Sequence, residues 1–434
     1  MTLSRRTILG TSAALAAASA AGCSGSATAG GAGASGGASA GPVTLRFTWW
    51  GNDLRNKLTN QVIELFMQKH PTIKIAPEPT EWNAYWDKLA TQVAGGNAPD
   101  VIQHDESQIA AYGSRGNLLE LTTQKVLDLS TMDAKVLDTG KVGGKVYGAP
   151  VGIAVFSVAV NPAVLKAAGV TIPDDKTWTW DQFADISAQV SAKIPGSYGF
   201  DGFGTGGAEI SYWARQSGEA VFPQGNEKPL TAATVEKFYA YSKKLIDTKA
   251  TPALTVQVEN GAKPVDGGLF GTGKAAFHLL FHTQVQAFAA AAKTDMTLAR
   301  LPALQSGNPM MANKASMYWS IWSKTKYPEA AATFLNFIIN DPEAAKILTI
   351  ERGVPAIPAI QKQVEPLLDA TGKVSLKFAQ DMQAEVKAPP QVTPPTANKF
   401  GTEFTRISQD VLFGRAKPEE GAKQVAQLAA DLNK

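Results

Sequence analysis

From residue 44 to 49, polar and apolar side chains alternate, with Leu45, Phe47 and Trp49 on one side and Thr44, Arg46 and Thr48 on the other. That is the period of a half-buried strand. The period then lengthens. Leu54, Leu58, Val62, Leu65 and Phe66 share one helical face, while Arg55, Lys57, Glu64 and Lys69 take the others, and Pro71 ends the element. Ile73 and Ile75 predict a second strand. Tyr85, Trp86, Leu89 and Val93 predict a second helix, stopped by Gly95-Gly96, and a short buried strand follows over 100–103. The alternation resumes with a strand at 155–160 and helices at 162–168 and 180–190, where Thr179 and Gln182 have capping-box spacing. Further helices are predicted at 235–245, 328–340, 404–412 and 418–432, with Asp341-Pro342 restarting a helix after 340. Strands alternating with helices predict α/β layers. No internal repeat is visible, and the Pro-rich stretch 387–398 reads as a long ordered loop.

The beginning of the chain follows other rules. Arg5 and Arg6, a short apolar stretch over 8–18 and Ala20-Ala21-Gly22 read as an export signal over 1–22. The stretch is too short and too rich in Ala and Ser for a stable transmembrane helix. Ser4-Arg5-Arg6-Thr7-Ile8-Leu9 resembles a twin-arginine signal, and Ala20-Ala21-Gly22-Cys23 resembles a lipobox. Cys23 is then the lipid-modified first residue of the mature chain; the alternative is an ordinary thiol beside a cleavage site. Residues 24–41 consist of Ser, Gly, Ala and Thr alone, a composition that stays flexible and tethers the body about 20–25 Å from its anchor. The expected location is the outer face of the cytoplasmic membrane.

Composition narrows the function classes. The 434 residues are 44% hydrophobic and 18% charged with a net charge of +3, which allows two to three domains and a sizeable core. The charge is small and no Lys/Arg block occurs, so nucleic acid is not an expected partner. One cysteine excludes a disulfide framework and a Cys-based zinc site. His278 and His282 are four apart, but 277–281 reads as a strand and no Glu follows the first, so a structural or ligand-bonding role is expected rather than a metal site. The Gly-rich stretches 202–207 and 267–273 lack phosphate-cradling fingerprints, and no Gly-x-Ser-x-Gly elbow occurs. No catalytic residue, metal or cofactor is nominated.

The nine tryptophans carry more information. Trp49-Trp50-Gly51-Asn52-Asp53, Glu81-Trp82-Asn83 and Glu209-Ile210-Ser211-Tyr212-Trp213 place indoles at strand ends or in loops beside polar groups. Carbohydrate sites combine flat aromatic faces for the C–H-rich side of a pyranose with carboxylates, amides or Arg for its hydroxyls. Core packing suffices for Trp86, Trp178 and Trp180; for Trp49, Trp50, Trp82 and Trp213, ligand contact and core packing both stay open.

A set of short motifs, in this order and spacing, carries a resemblance. They are Trp86-Asp87-Lys88-Leu89-Ala90-Thr91-Gln92-Val93-Ala94-Gly95-Gly96-Asn97-Ala98-Pro99-Asp100-Val101, Ser114-Arg115-Gly116-Asn117-Leu118-Leu119, Tyr147-Gly148-Ala149-Pro150-Val151-Gly152, Gly273-Lys274-Ala275-Ala276-Phe277 and Tyr327-Pro328-Glu329-Ala330-Ala331. Over essentially all of 43–434 the chain resembles the extracellular sugar-binding proteins of ABC importers. The resemblance implies a two-lobed α/β periplasmic-binding-protein fold of type II. Its first lobe would hold 42–150 plus 300–342 and its second 151–299 plus 343–434, with crossings near 148–154, 297–302 and 340–347. It further implies a monomer that captures a mono- or oligosaccharide in the cleft, closes over it by hinge motion and docks on the permease subunits.

Carried over residue by residue, the resemblance nominates Trp49, Trp50 and Asp53 after the first strand and His104 and Asp105, beside Glu106, after the third. It places Trp213 with Tyr212 in the other lobe. Phe281-His282-Thr283-Gln284 stands where relatives commonly read Trp-Ser-Asn-Gln, a departure that leaves the ligand's identity open and nominates His282 and Gln284. Trp82, Trp319 and Arg352 complete the set; the alternative for Arg352 is pairing with Glu351 or Glu343. The rival functions are a binding protein for a polyol or glycerol phosphate, a lipid-anchored surface glycoside hydrolase, and a sensory or adhesive module.

Overall fold

The computed structural model describes residues 42–386, 394 and 396–433. The expected export signal, the tether with Cys23 and most of the Pro-rich stretch lie outside the described residues. No helix among the described residues is long and apolar enough to cross a membrane.

The chain opens with β1 (Val43–Trp50), α1 (Asp53–Lys69) and β2 (Ile73–Thr80), the two strands running parallel from Val43↔Ile73 to Trp50↔Thr80. The side chain of Asn52 caps α1 by accepting the Arg55 N–H, and Asp53 and Lys69 match the two ends of the helix dipole. Next come α2 (Trp82–Ala94), β3 (Val101–His104), which pairs parallel to β1, and α3 (Glu106–Ser114). Because these three strands are parallel, their C-terminal ends share one edge, which gathers Trp50, Trp82 and the segment 104–106. A short α4 (Ala134–Asp138) and the hairpin of β4 (Lys141–Val142) and β5 (Lys145–Val146) lead to β6 (Ala149–Pro150).

After Val151 the chain enters β7 (Gly152–Val160), buried at every residue. A strand covered on both faces reads as an unbroken apolar run. There follow α5 (Pro162–Ala168), α6 (Trp180–Lys193), β8 (Tyr198–Phe200) and α7 (Gly207–Gln216). Both halves of the Thr179–Gln182 capping box form. A parallel pair, β9 (Glu219–Ala220) and β10 (Lys228–Pro229), precedes α8 (Ala232–Asp247), α9 (Leu254–Gly261), β11 (Ala275–Phe281), α10 (Val285–Ala292) and β12 (Thr297–Ala299). The order β12-β7-β11-β8 makes the second sheet.

The chain then returns. β13 (Asn313–Ala315) pairs antiparallel with the first half of β7, and β14 (Tyr318–Ile321) inserts between β3 and β6 to complete the order β2-β1-β3-β14-β6. α11 (Pro328–Asn340) and α12 (Pro342–Leu348) pack on the first sheet's side. β15 (Val354–Pro355) joins the start of β7 and leads to α13 (Pro358–Val364) and α14 (Ala370–Glu385). Leu376 and Ala379 of α14 belong to the first core, Phe378 and Met382 to the second. α15 (Ala397–Leu412) and α16 (Pro418–Leu432) close the second lobe over α8.

Packing thus changes over at Val151, at Ser316-Met317 and along 353–385, rather than near 297–302 and 340–347. Leu301 and Met311 stay in the second core, while Ala344, Leu348, Ile360 and Val364 stay in the first. Asp341-Pro342 restarts a helix, but inside the first lobe, so the expected divisions at 300 and 342 do not coincide with the change in core. At the passage, a Cβ on Gly152 would lie 2.7 Å from the Val354 carbonyl oxygen, and Gly353 has φ +105°. Glycine is required at both.

Candidate ligand-binding site

Two surfaces carry the candidate ligand chemistry. The first is the C-terminal edge of the first sheet. Trp82 opens α2 and is 46% exposed, an unusual state for an indole in this molecule. Trp50 backs it, edge-on with ring centroids 5.1 Å apart, and in turn rests on Tyr85 and Trp86 at 5.2 and 5.5 Å. His104 ends β3 among Tyr112 and Trp86, fully buried, and neither of its ring nitrogens has a hydrogen-bond partner. Burial without a counter-charge pulls its pKa down to about 3, so the imidazole is neutral. Asp105 caps α3, accepting from the Ser107 N–H at 3.0 Å and Oγ at 2.7 Å.

The second surface is a cavity of about 220 Å³, to which α3 contributes Glu106 and the second lobe most of the wall. Its structure follows from helix geometry. Ala208, Ser211, Tyr212 and Arg215 recur at three- and four-residue spacing on α7 and so face the cavity together. Glu209 anchors the start of that helix by accepting the Gly204 and Gly206 N–H groups at 2.7 and 3.1 Å. The Tyr212 ring stacks on Phe156 at 5.2 Å, and burial pushes its hydroxyl up to about 12. Phe222, Phe281 and Phe400 add apolar faces.

Polar groups sit among these rings. Lys314 on β13 pairs with Glu106 at 2.6 Å and lies 4.4 Å from the Phe281 ring centroid. Burial alone lowers its pKa, but Glu106 and Asp105 more than offset this, and it stays cationic. The Asn313 amide donates to the Met382 carbonyl at 3.3 Å, leaving its buried Oδ1 without a partner. The buried Nε of Arg215 has none either. Buried polar atoms are ordinarily satisfied; two residues of this lining each leave one unpartnered, a donor on Arg215 and an acceptor on Asn313.

The sequence-nominated residues divide. Trp82, Asp105 and Tyr212 lie at the two surfaces, while Trp50 and His104 are buried behind the first. Trp49, Trp213 and Trp319 are packed in cores, which corrects the expectation that they wall a cleft. Trp49 donates to Asn56 Oδ1 at 2.9 Å, and Trp213 sits among Trp180, Phe238 and Tyr241 on the inner face of a helix, not in a loop. Arg352 is also internal. It donates to Gln103 Oε1 at 3.1 Å and Thr59 Oγ1 at 2.7 Å, pairs with Glu351 at 3.2 Å and covers the Trp319 ring at 5.3 Å. Burial brings its pKa down to about 9.

His282 is buried with Nδ1 accepting the Val155 N–H at 3.0 Å, and its pKa falls to about 4 through burial. Asp53 and Gln284 are exposed at helix starts. Arg215, Asn313, Lys314, Phe222 and Phe400 were not legible as site residues. The available signal was the i, i+3 relation of Tyr212 and Arg215, which appears only once 207–216 is read as a helix.

The profile of a family described as bacterial extracellular solute-binding protein matches residues 51–345. Among curated proteins, the chain is 26% identical over 317 residues to an uncharacterized lipoprotein in the oleD 5' region of Streptomyces antibioticus, covering 69% of this chain and 67% of that one. It is 26% identical over 271 residues to the maltodextrin-binding protein MdxE of Bacillus subtilis, covering 62% and 63%. These alignments span about two thirds of the curated relatives' length. A solved extracellular solute-binding protein of family 1 from Alicyclobacillus acidocaldarius superposes with a TM-score of 0.71 at 30% identity, over 91% of this chain and 100% of that one.

Proposed function

The chain belongs to the family of bacterial extracellular solute-binding proteins, and on that premise we propose that it captures a carbohydrate between its lobes and delivers it to the permease of an ABC importer. Lipid on Cys23 would hold it at the outer face of the membrane. The observation that carries the reading is the cavity beside α7, where aromatic faces of Tyr212, Phe222, Phe281 and Phe400 surround an unpartnered donor on Arg215 and an unpartnered acceptor on Asn313. A pyranose presents both an apolar C–H face and hydroxyls that donate and accept, which is the complement of that lining. The name of the Bacillus relative, a maltodextrin-binding protein, supports the same class.

The reading assigns capture without turnover. A thermal-shift screen against neutral and acidic mono- and oligosaccharides, followed by calorimetry, tests it; a ligand at 100 times its Kd stabilises by about 2.7 kcal/mol. Tyr212→Ala should then cost about 2–4 kcal/mol of binding, roughly 30- to 1000-fold in affinity. Absence of stabilisation by every saccharide, or release of reducing ends above a buffer control, would overturn the reading.

A further inference from the structure

The positive charges in this cavity are not equivalent. Resting on the carbohydrate reading above, we propose that the ligand is an acidic saccharide, a sugar bearing a carboxylate, and that Arg215 is the residue that receives the acid group.

Every other buried or half-buried arginine among the described residues has an acidic partner. Arg46 pairs with Glu78, Arg55 with Glu351 at 2.7 Å, Arg300 with Asp175 at 2.9 Å and Glu385 at 2.6 Å, and Arg352 with Glu351 at 3.2 Å. Arg215 is half-buried, lines the cavity and forms no ion pair among the described residues. The sequence of 1–41 and 387–393 contains no Asp or Glu that could supply one. Its Nε, moreover, is buried without any hydrogen-bond partner. Taking a cation out of water is costly unless a counter-charge meets it. A protein that pairs its other enclosed arginines and leaves this one open, at the wall of its ligand cavity, leaves the partner to the ligand.

Neighbouring charges sharpen the assignment. Lys314 is matched by Glu106 at 2.6 Å, with Asp105 also acting on it, so that group is electrically closed. Arg215 remains as the uncompensated charge. A guanidinium edge offers two parallel N–H groups, Nε and one Nη, spaced for the two oxygens of a carboxylate. A phosphate dianion would want further donors. Lys314, the other cation of the lining, is already held by Glu106 at 2.6 Å. Tyr212, Phe222, Phe281 and Phe400 line the same cavity and offer apolar surface to the ring that carries the acid.

Calorimetry with the purified protein tests this, using disaccharides of galacturonic, glucuronic and mannuronic acid, each against its methyl ester, together with the corresponding sugar 1-phosphates. At least one acid should bind about 10-fold or more tightly than its ester. Arg215→Gln should bring that ratio close to one, whatever it does to ester affinity, with the melting temperature near the parent's, and Arg215→Lys should retain part of the preference. Esters binding as tightly as acids, or a preference that survives Arg215→Gln, overturns the proposal and leaves the carbohydrate reading standing. Phosphates preferred over carboxylates overturn the carboxylate assignment. Failure of every saccharide to bind removes both.

Discussion

Trp82 and Trp213 carry the same indole beside similar polar neighbours in sequence, yet one is 46% exposed and the other 4%. The difference decides what each can do. Trp213 fills a space bounded by Trp180, Phe203, Phe238 and Tyr241, so Trp213→Ala leaves a cavity and should cost about 3–5 kcal/mol of stability. Trp82→Ala removes a ring that is half in water already. It should change the melting temperature little and instead weaken saccharide binding, which thermal denaturation and calorimetry on the two variants separate. A large stability loss in Trp82→Ala, with binding intact, would return that ring to the structural framework. Sequence could nominate both residues because stacking needs an indole. It could not rank them, because exposure is set by which side of a helix faces the sheet. Arg352 shows the same limit. Its chemistry suits a ligand, but Gln103, Thr59 and Glu351, distant in sequence or adjacent, close around it instead.

At the level of elements, β1, α1, β2 and α2 were readable because each carries an apolar and a polar stripe, and β3 because it is a short run buried at every residue. The proline-led helices α11 and α12 and the capping box of α6 were readable from local chemistry. α7 was not, because its start is a glycine and its cap comes from Glu209 reaching backward. Nor was the placement of β14, since nothing local specifies that 318–321 joins the first sheet. The same neighbourhood holds a titratable tie between elements. Asp201, following β8, accepts from His278 on β11 at 2.8 Å, and Glu209 of α7 adds to the field. Burial lowers the His278 pKa, but Asp201 and Glu209 outweigh it and leave it raised. A raised pKa means stability that is fully present below the unfolded histidine pKa, about 6.5, and lost as pH climbs through the folded value. Asp201→Asn should therefore lower the melting temperature more at pH 5.5 than at pH 8.5. An equal drop at both values would assign the aspartate a purely neutral hydrogen-bonding role.

On the scale of the whole molecule, the proposed closure over a ligand turns two packed bodies about the passages that join them. Those passages converge. Ser316 donates to the Arg352 carbonyl, while the Arg352 guanidinium is fastened to Gln103 and Thr59 of the first lobe. The third strand of the joint is thus fixed to the first lobe at residue 352, just ahead of Gly353, whose φ is +105°. Gly353 also faces Gly152, where the first passage begins, with no room for a side chain between them. A Cβ on Gly353 meets two obstacles, a backbone conformation that costs an L-residue about 1–3 kcal/mol and the Ser316 Oγ at 2.7 Å. Gly353→Ala should lower stability by a similar amount, and relieving the clash should shift the angle between the lobes. Small-angle scattering with and without saturating saccharide reads this directly. The parent should contract on binding, and the variant should contract less and bind more weakly, although every cavity residue is unchanged. Equal contraction and affinity in both proteins would move the hinge away from Gly353 and onto the Ser316-Met317 passage.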